Sequence, residues 1–157
     1  MKENACLWDI ETLELELIFG DIELVEKRLE RMEEGAKKGK KPNEAEKKLL
    51  IKCKDALEKE IPLRNVSFDD EEQKVMKHLQ FVSTKPEVVV LNLGEKDLNT
   101  EKAVNLQKDA GKYFESKGTA ETTKVVTLCG KIEMEIAQMS AEDAKAFLDD
   151  LGIQEPA

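Results

Sequence analysis

Glu87-Val88-Val89-Val90-Leu91-Asn92-Leu93-Gly94-Glu95 is the stretch on which the fold turns. A short, unbroken, mostly β-branched run between Pro86 and Asn92-Leu93-Gly94 predicts a strand. Its lack of polar alternation predicts one covered on both faces, as in a parallel sheet. Thr123-Lys124-Val125-Val126-Thr127-Leu128-Cys129 reads as a second strand of the same kind. Between them, Thr100 to Ser116 has helical character and Gly118 ends it; after them come helices at about Glu133 to Met139 and Ala141 to Leu151. Strand, helix, strand, helix implies parallel crossover units. In such sheets ligands gather at the carboxyl ends of the strands, which directs attention to Asn92–Glu95 and Cys129–Glu133. Open sheets usually hold about 4–6 strands, so two strands predict an incomplete sheet. An exposed strand edge associates readily, which predicts a homodimer or a complementing chain.

Upstream of Pro62 the pattern is helical. Leu15, Ile18, Ile22, Val25, Leu29 and Met32 alternate three and four apart, the spacing that lines one seam of a helix lying along a partner. The helix is expected from about Ile10 to Glu34, with Gly35 as its stop before the charged turn Lys37 to Lys41. A second helix is expected from Asn43, an N-cap residue, carrying Leu49, Cys53, Leu57 and Ile61 on one face until Pro62. Two helices joined by a short Gly, Lys and Pro loop form an antiparallel hairpin, with Lys37, Lys38, Lys40 and Lys41 at its tip. Trp8 is expected to anchor the base of this arm by burying its ring. Beyond Pro62, Ser67 and Asp69 cap a short helix through His78, with Val75, Met76 and Leu79 inward.

The charge follows the same division. Of 157 residues 34 are acidic and 25 basic, a net of −9. Residues 1–34 carry a net of −7, residues 35–59 a net of +5, and residues 60–157 a net of −7. The single basic segment therefore maps onto the tip of the arm, where it can attract phosphate within the screening length of about 8–10 Å. No aromatic residue is interleaved with those lysines, so base stacking is not expected there. No apolar run approaches the roughly 20 residues of a membrane span, and Glu3 and Asn4 stand where a leader needs apolar residues. Three widely spaced cysteines, Cys6, Cys53 and Cys129, fit reduced thiols in a cytoplasmic protein. One histidine and no Cys-x-x-Cys pair leave a zinc site almost without ligands.

Asn92-Leu93-Gly94-Glu95 resembles the base-recognition motif of P-loop nucleotide-binding proteins, in the Asn-x-x-Glu form found in the YchF family, the Obg-like ATPases. Four further motifs in order resemble the same family. They are Asp9-Ile10-Glu11-Thr12 with Glu14-Leu15, Phe81-Val82-Ser83-Thr84-Lys85-Pro86, Cys129-Gly130-Lys131-Ile132-Glu133, and Leu151-Gly152-Ile153-Gln154-Glu155-Pro156. The resemblance covers residues 9–156 and implies a mostly helical α/β fold. In it an antiparallel coiled-coil hairpin, residues 9–62, is inserted in a partial P-loop NTPase (Rossmann-like) parallel sheet. Residues 63–157 would be the C-terminal half of the nucleotide-binding domain.

What the resemblance implies for chemistry is a division of roles. Asn92 steadies its loop and Glu95 reads the purine edge. Its carboxylate accepts from an exocyclic amino group such as that of adenine, whereas the six-position oxygen of guanine repels it. Leu93 packs on the base, and Cys129, Gly130 and Lys131 reach its other edge. The implied cofactor is ATP, through base contacts alone. No Gly-x-x-x-x-Gly-Lys-Ser/Thr loop occurs in these residues, so magnesium is expected only where the other half of the domain is supplied. Gly35-Ala36-Lys37-Lys38-Gly39-Lys40-Lys41 has the wrong spacing for such a loop. The family's association with ribosomes implies a ribosome or RNA contact at Lys37, Lys38, Lys40 and Lys41. The alternative expectation, of a different class, is a non-enzymatic RNA or ribosome interaction module built on the basic-tipped arm.

Overall fold

A computed structural model of the chain describes residues 5–151; Gly152 to Pro156, the end of the last family-like motif, lie outside the described residues. In order the elements are α1 (Ala5–Lys37), α2 (Glu44–Leu57), a 3-10 turn (Leu63–Asn65), α3 (Asp70–Met76), β1 (Glu87–Asn92), α4 (Glu101–Ser116), β2 (Thr123–Leu128), α5 (Gly130–Ile136) and α6 (Ala141–Leu151). The chain divides into two compact units, one ending at Glu87 and one beginning at Val88. That division falls later in the chain than the boundary at residue 62 expected from sequence, because residues 63–81 contribute to the core of the helical unit.

The spaced apolar stripe of α1 does what its period dictates. Ile18 and Val25 are buried, and Ile22, Leu29 and Met32 pack beside them. Facing them are Leu49, Leu50, Cys53 and Leu57 of α2, joined by Leu63, Leu79 and Phe81 from the segment that follows. Each such side chain contributes roughly 1.5–3 kcal/mol on leaving water, so this cluster is the main stabilising term of the unit. Two ion pairs flank the seam, Arg28 Nε to Glu46 Oε1 at 2.7 Å and Lys54 Nζ to Glu26 Oε1 at 2.7 Å. One partner moves back along α1 while the other moves forward along α2, so the helices run in opposite directions.

Several boundaries differ from the sequence expectation. α1 starts at Ala5 rather than Ile10, and it passes through Gly35 to Lys37; the reversal comes at Gly39, whose φ of +81° suits a residue without a side chain. α2 begins after Asn43, whose side chain accepts from the Glu46 N–H, but it stops at Leu57. Glu60, at φ +58°, turns the chain away, and Ile61 is left exposed instead of extending the apolar face. α3 is shorter than expected and ends at Met76; Asp69 and Glu72 exchange side-chain to backbone hydrogen bonds in a full capping box. Trp8 does not anchor the arm, being 66% exposed. It lies about 200° around the helix from buried Ile10, at about 100° per residue, and so points away from the core.

Polar ties complete the first unit. Asp21, 2% exposed, accepts from the backbone N–H groups of Val82 at 3.0 Å and Ser83 at 2.8 Å, which holds that segment against α1. Hydrogen bonds to a charged acceptor contribute about 1.5–3 kcal/mol each. The Arg64 N–H donates to the Ser83 carbonyl at 2.8 Å. Its guanidinium, 5% exposed, reaches both Glu14 Oε1 and Glu87 Oε2 from Nη2 at 2.6 Å. Its Nε is buried with no hydrogen-bond partner.

In the second unit β1 and β2 form a parallel two-stranded sheet linked by α4, which packs against β2. The core here is Leu91, Ala103, Ala110, Phe114, Cys129 and Ile132. α4 ends as expected at a glycine, Gly118, with φ +69°. α5 starts at Gly130 and ends at Ile136, so it begins three residues earlier than the helix read from Glu133. The expectation of strands covered on both faces is not met: Val88 is 62% exposed, Val90 49% and Val126 39%. Side chains alternate across a strand, and only the face carrying Val89 and Leu91 turns toward the interior.

Burial, reinforced by the nearby Glu87 charge, holds the Glu14 carboxyl above the ordinary glutamate value in spite of Arg64. A carboxyl raised on folding binds its proton more tightly in the folded chain. Its contribution to stability is full below the unfolded value of about 4.3 and is lost as pH rises through the raised one. Glu14→Gln mimics the protonated form, so its urea midpoint should fall less than that of the unmodified chain between about pH 4 and pH 7. Parallel pH profiles for the two chains would contradict this assignment.

Candidate functional site

The two strand-end loops meet within the second unit. Asn92, the last residue of β1, takes the Gly130 N–H on its Oδ1 at 2.9 Å, and the Leu93 N–H donates to the Leu128 carbonyl at 2.8 Å. The side-chain amide of Asn92 thus bridges the end of β1 to the start of α5 and keeps its own Nδ2 donors for other partners. Gly130 is where the asparagine fits closely: a Cβ there would stand 3.4 Å from Asn92 Oδ1. Cys129 is the N-cap residue of α5 and, at 2% exposed, belongs to the core of this unit.

Glu95 and Lys131 also come together, as an ion pair between Oε1 and Nζ, with Glu135 Oε1 3.8 Å from the same ammonium. The hydrogen bond to Glu95 holds the Lys131 amine above its ordinary value. Both side chains stay well exposed, 63% and 45%, so water and salt screen the pair and a competing partner can open it. The structure therefore brings Asn92, Leu93, Glu95, Cys129, Gly130 and Lys131 to one junction. Lys131 sits in the first turn of α5, not in a free loop as its motif suggested.

The tip lysines lie elsewhere, in the first unit. Lys37 ends α1, and Lys38, Lys40 and Lys41 follow in a turn held by Lys38 N–H and Lys40 N–H donating to the Gly35 carbonyl at 3.1 and 3.0 Å. All four are exposed. A second basic place in that unit was not found by sequence reasoning. Leu24, Lys27, Arg28 and Arg31 of α1 line a recess of about 250 Å³ with His78 and Leu79. Their spacing of three, four and seven residues is the helical signal that could have found it, had the cations been read as a stripe. Cys53 is an inert packing thiol, pushed up to about 12 chiefly by burial.

Among the described residues no three His, Cys, Asp or Glu side chains gather at metal-holding distance. No helix among the described residues is long and apolar enough to cross a membrane.

The described residues combine a helical unit built on the antiparallel pair α1 and α2 with a unit built on a short parallel sheet and its helices. Comparison with known proteins gives the family. The chain is 38% identical over 151 residues to the ribosome-binding ATPase YchF of Bacillus subtilis, and 32% and 30% identical over 148 residues to proteins of that name from Haemophilus ducreyi and Escherichia coli O157:H7. These alignments cover 94% of this chain but 39% of each relative. The solved structure of the Schizosaccharomyces pombe YchF GTPase superposes with a TM-score of 0.75 over 94% of this chain and 40% of that one, at 19% identity, a likeness of fold. No family model matches. The chain is a relative of the YchF proteins, corresponding to about two fifths of their length.

Asn92→Ala should leave the Gly130 N–H without its acceptor. The expected cost is about 1 kcal/mol in urea denaturation, with faster hydrogen exchange at Gly130. Unchanged exchange at that amide would show that the bridge is not formed in solution.

Proposed function

We propose that this chain supplies purine-base recognition and a ribosome-contacting arm to a ribosome-associated, ATP-binding, Obg-like ATPase of the YchF type, and does not hydrolyse ATP by itself. The observation that carries the reading is the junction in which Asn92 Oδ1 bridges to Gly130 and Glu95 meets Lys131, in a chain 38% identical to a ribosome-binding ATPase YchF. With Asn92 fixing the two loops, Glu95 leaves Lys131 to accept from the adenine amino group, Leu93 covers one base face, and Cys129, Gly130 and Lys131 border the other edge. A guanine offers an oxygen at that position and is disfavoured. Catalysis of phosphoryl transfer is positioning plus charge stabilisation, and a phosphate cradle and magnesium ligands would come from residues outside this chain.

On this reading the two arm helices act as an antiparallel coiled coil that extends Lys37, Lys38, Lys40 and Lys41 toward ribosomal RNA, in the cytoplasm. The open face of the sheet, with Val88, Val90 and Val126 exposed, favours a complementing polypeptide or a second copy as its cover. A second reading, a non-enzymatic RNA interaction module, is favoured by the exposed run Lys37, Lys38, Lys40 and Lys41.

Two measurements separate these readings. The purified chain should release phosphate from magnesium-ATP no faster than buffer does; a magnesium-dependent, single-site turnover would contradict the proposal. Replacing the four tip lysines by Gln should weaken RNA binding and flatten its dependence on salt while leaving adenine affinity unchanged. RNA binding with no adenine affinity at all would select the interaction module.

A further inference from the structure

Helix α1 carries two apolar seams, and only one of them is covered. Ile18 and Val25 are buried against α2. Leu17 and Leu24 each stand one residue earlier, about 100° round the helix, and are 37% and 36% exposed; Leu13 is 60% exposed. Leu13, Leu17, Gly20 and Leu24 follow one another four, three and four residues apart, the spacing of a second seam. Gly20 is exposed within it, with open space where a Cβ would stand, so a neighbouring backbone can approach closely. The seam runs about 16 Å, at about 1.5 Å per residue, until Lys27 and Arg31 take the next positions of the series and end it. On one side of it Asp21 holds the Val82 and Ser83 N–H groups, and Val82 adds an exposed apolar side chain. On the other side stand Asp9, Glu16 and Glu23, seven residues apart and all exposed. Glu23 is held by Lys27 in an exposed pair that a competing cation can replace, and Asp9 and Glu16 have no basic partner among the described residues.

We propose that this face of α1 docks a cationic amphipathic helix of another polypeptide. That helix has apolar residues three and four apart, with lysines or arginines beside them. Two features select this occupant. The straight seam offers contacts at i, i+4, i+7 and i+11, which a helix of about three turns laid along it can meet. Charge selects the sign of its flank: between residues 5 and 26 α1 has seven acidic side chains and no basic one, so a basic flank is drawn in and an acidic one repelled. A second copy of this chain fits badly for the same reason. Antiparallel pairing of the seam with itself, Leu13 on Leu24 and Leu17 on Gly20, sets Glu16 of each copy beside Glu23 of the other. The apolar row thus supplies affinity, and the acidic row supplies selectivity.

The test uses the full chain and labelled helical peptides of about 18 residues, or about five turns, followed by fluorescence anisotropy. One peptide carries a leucine seam flanked by lysines, a second the same seam flanked by glutamates, and a third the lysine peptide's composition with its leucines moved off the seam. The lysine-flanked peptide should bind, and the other two should bind at least about tenfold more weakly. Leu17→Glu should weaken the lysine-flanked peptide about tenfold, the loss of one buried leucine contact. Leu17 is partly exposed, so thermal melting of this variant should match that of the unmodified chain. Asp9→Lys, Glu16→Lys and Glu23→Lys together leave the seam intact and should reverse the preference, so that the glutamate-flanked peptide binds better. No binding of the lysine-flanked peptide would overturn the proposal, and so would equal binding of the lysine and glutamate peptides. Binding unchanged by Leu17→Glu would show attraction by charge alone and overturn the seam. A doubled mass in sedimentation without peptide, abolished by Leu17→Glu, would assign the face to a second copy and overturn the choice of occupant.

Discussion

The helical unit depends on one seam, the burial of the α1 stripe against α2. Val25, Leu50 and Cys53 are wholly excluded from solvent at its centre. Without that packing a 33-residue helix with a charged exterior has little reason to persist, since helices within proteins gain most of their stability from a buried face. The seam also decides what faces outward. With the apolar stripe committed to α2, the neighbouring flank bearing Lys27, Arg28 and Arg31 turns to solvent, and the reversal at Gly39 carries four lysines to the far end. Asp21 and Arg64 then attach the following segment through backbone and carboxylate hydrogen bonds, so that residues 63–81 finish the core instead of trailing from it.

In the second unit the decisive tie is polar and local. The Asn92 amide joins the two strand ends, which sets the relation between the Glu95 loop and the first turn of α5. A side-chain bridge suits this place because the strands stop there and the ladder can no longer supply partners for Gly130 N–H. The exposed Glu95–Lys131 pair is, by contrast, easily exchanged. Under the proposed reading, the Asn92 bridge keeps the junction's shape while the ion pair can release a carboxylate to a ligand.

Much of this could be read from the sequence where a pattern has a physical period. The Leu15 to Met32 stripe, the run Glu87–Asn92 and the boundaries of α6 were all legible, because apolar spacing and β-branched composition report local structure directly. Trp8 and Val88 were misjudged for a shared reason. Burial depends on what lies opposite a side chain, and a large apolar residue says nothing about whether its partner surface is present. The helix stop at Gly35 failed because a lone glycine costs a helix only about 1 kcal/mol, which the surrounding turns outweigh. The motif Asn92-x-x-Glu95 located the loop junction, but the Asn92 to Gly130 bridge and the recess beside Arg31 needed three dimensions. Each joins residues that sequence spacing alone does not connect: Arg31 and His78 sit on different elements, as do Asn92 and Gly130.

The central claim is that this chain carries adenine-reading chemistry at the Asn92–Gly130 junction. The most direct test is an NMR titration of the full chain with adenosine and, separately, guanosine, which removes phosphate and magnesium from the question. The account predicts that adenosine shifts the amides of residues 92–95 and 129–131, that guanosine does so far less, and that Glu95→Ala removes the difference. Equal shifts with both nucleosides, or adenosine shifts located away from that junction, would contradict it.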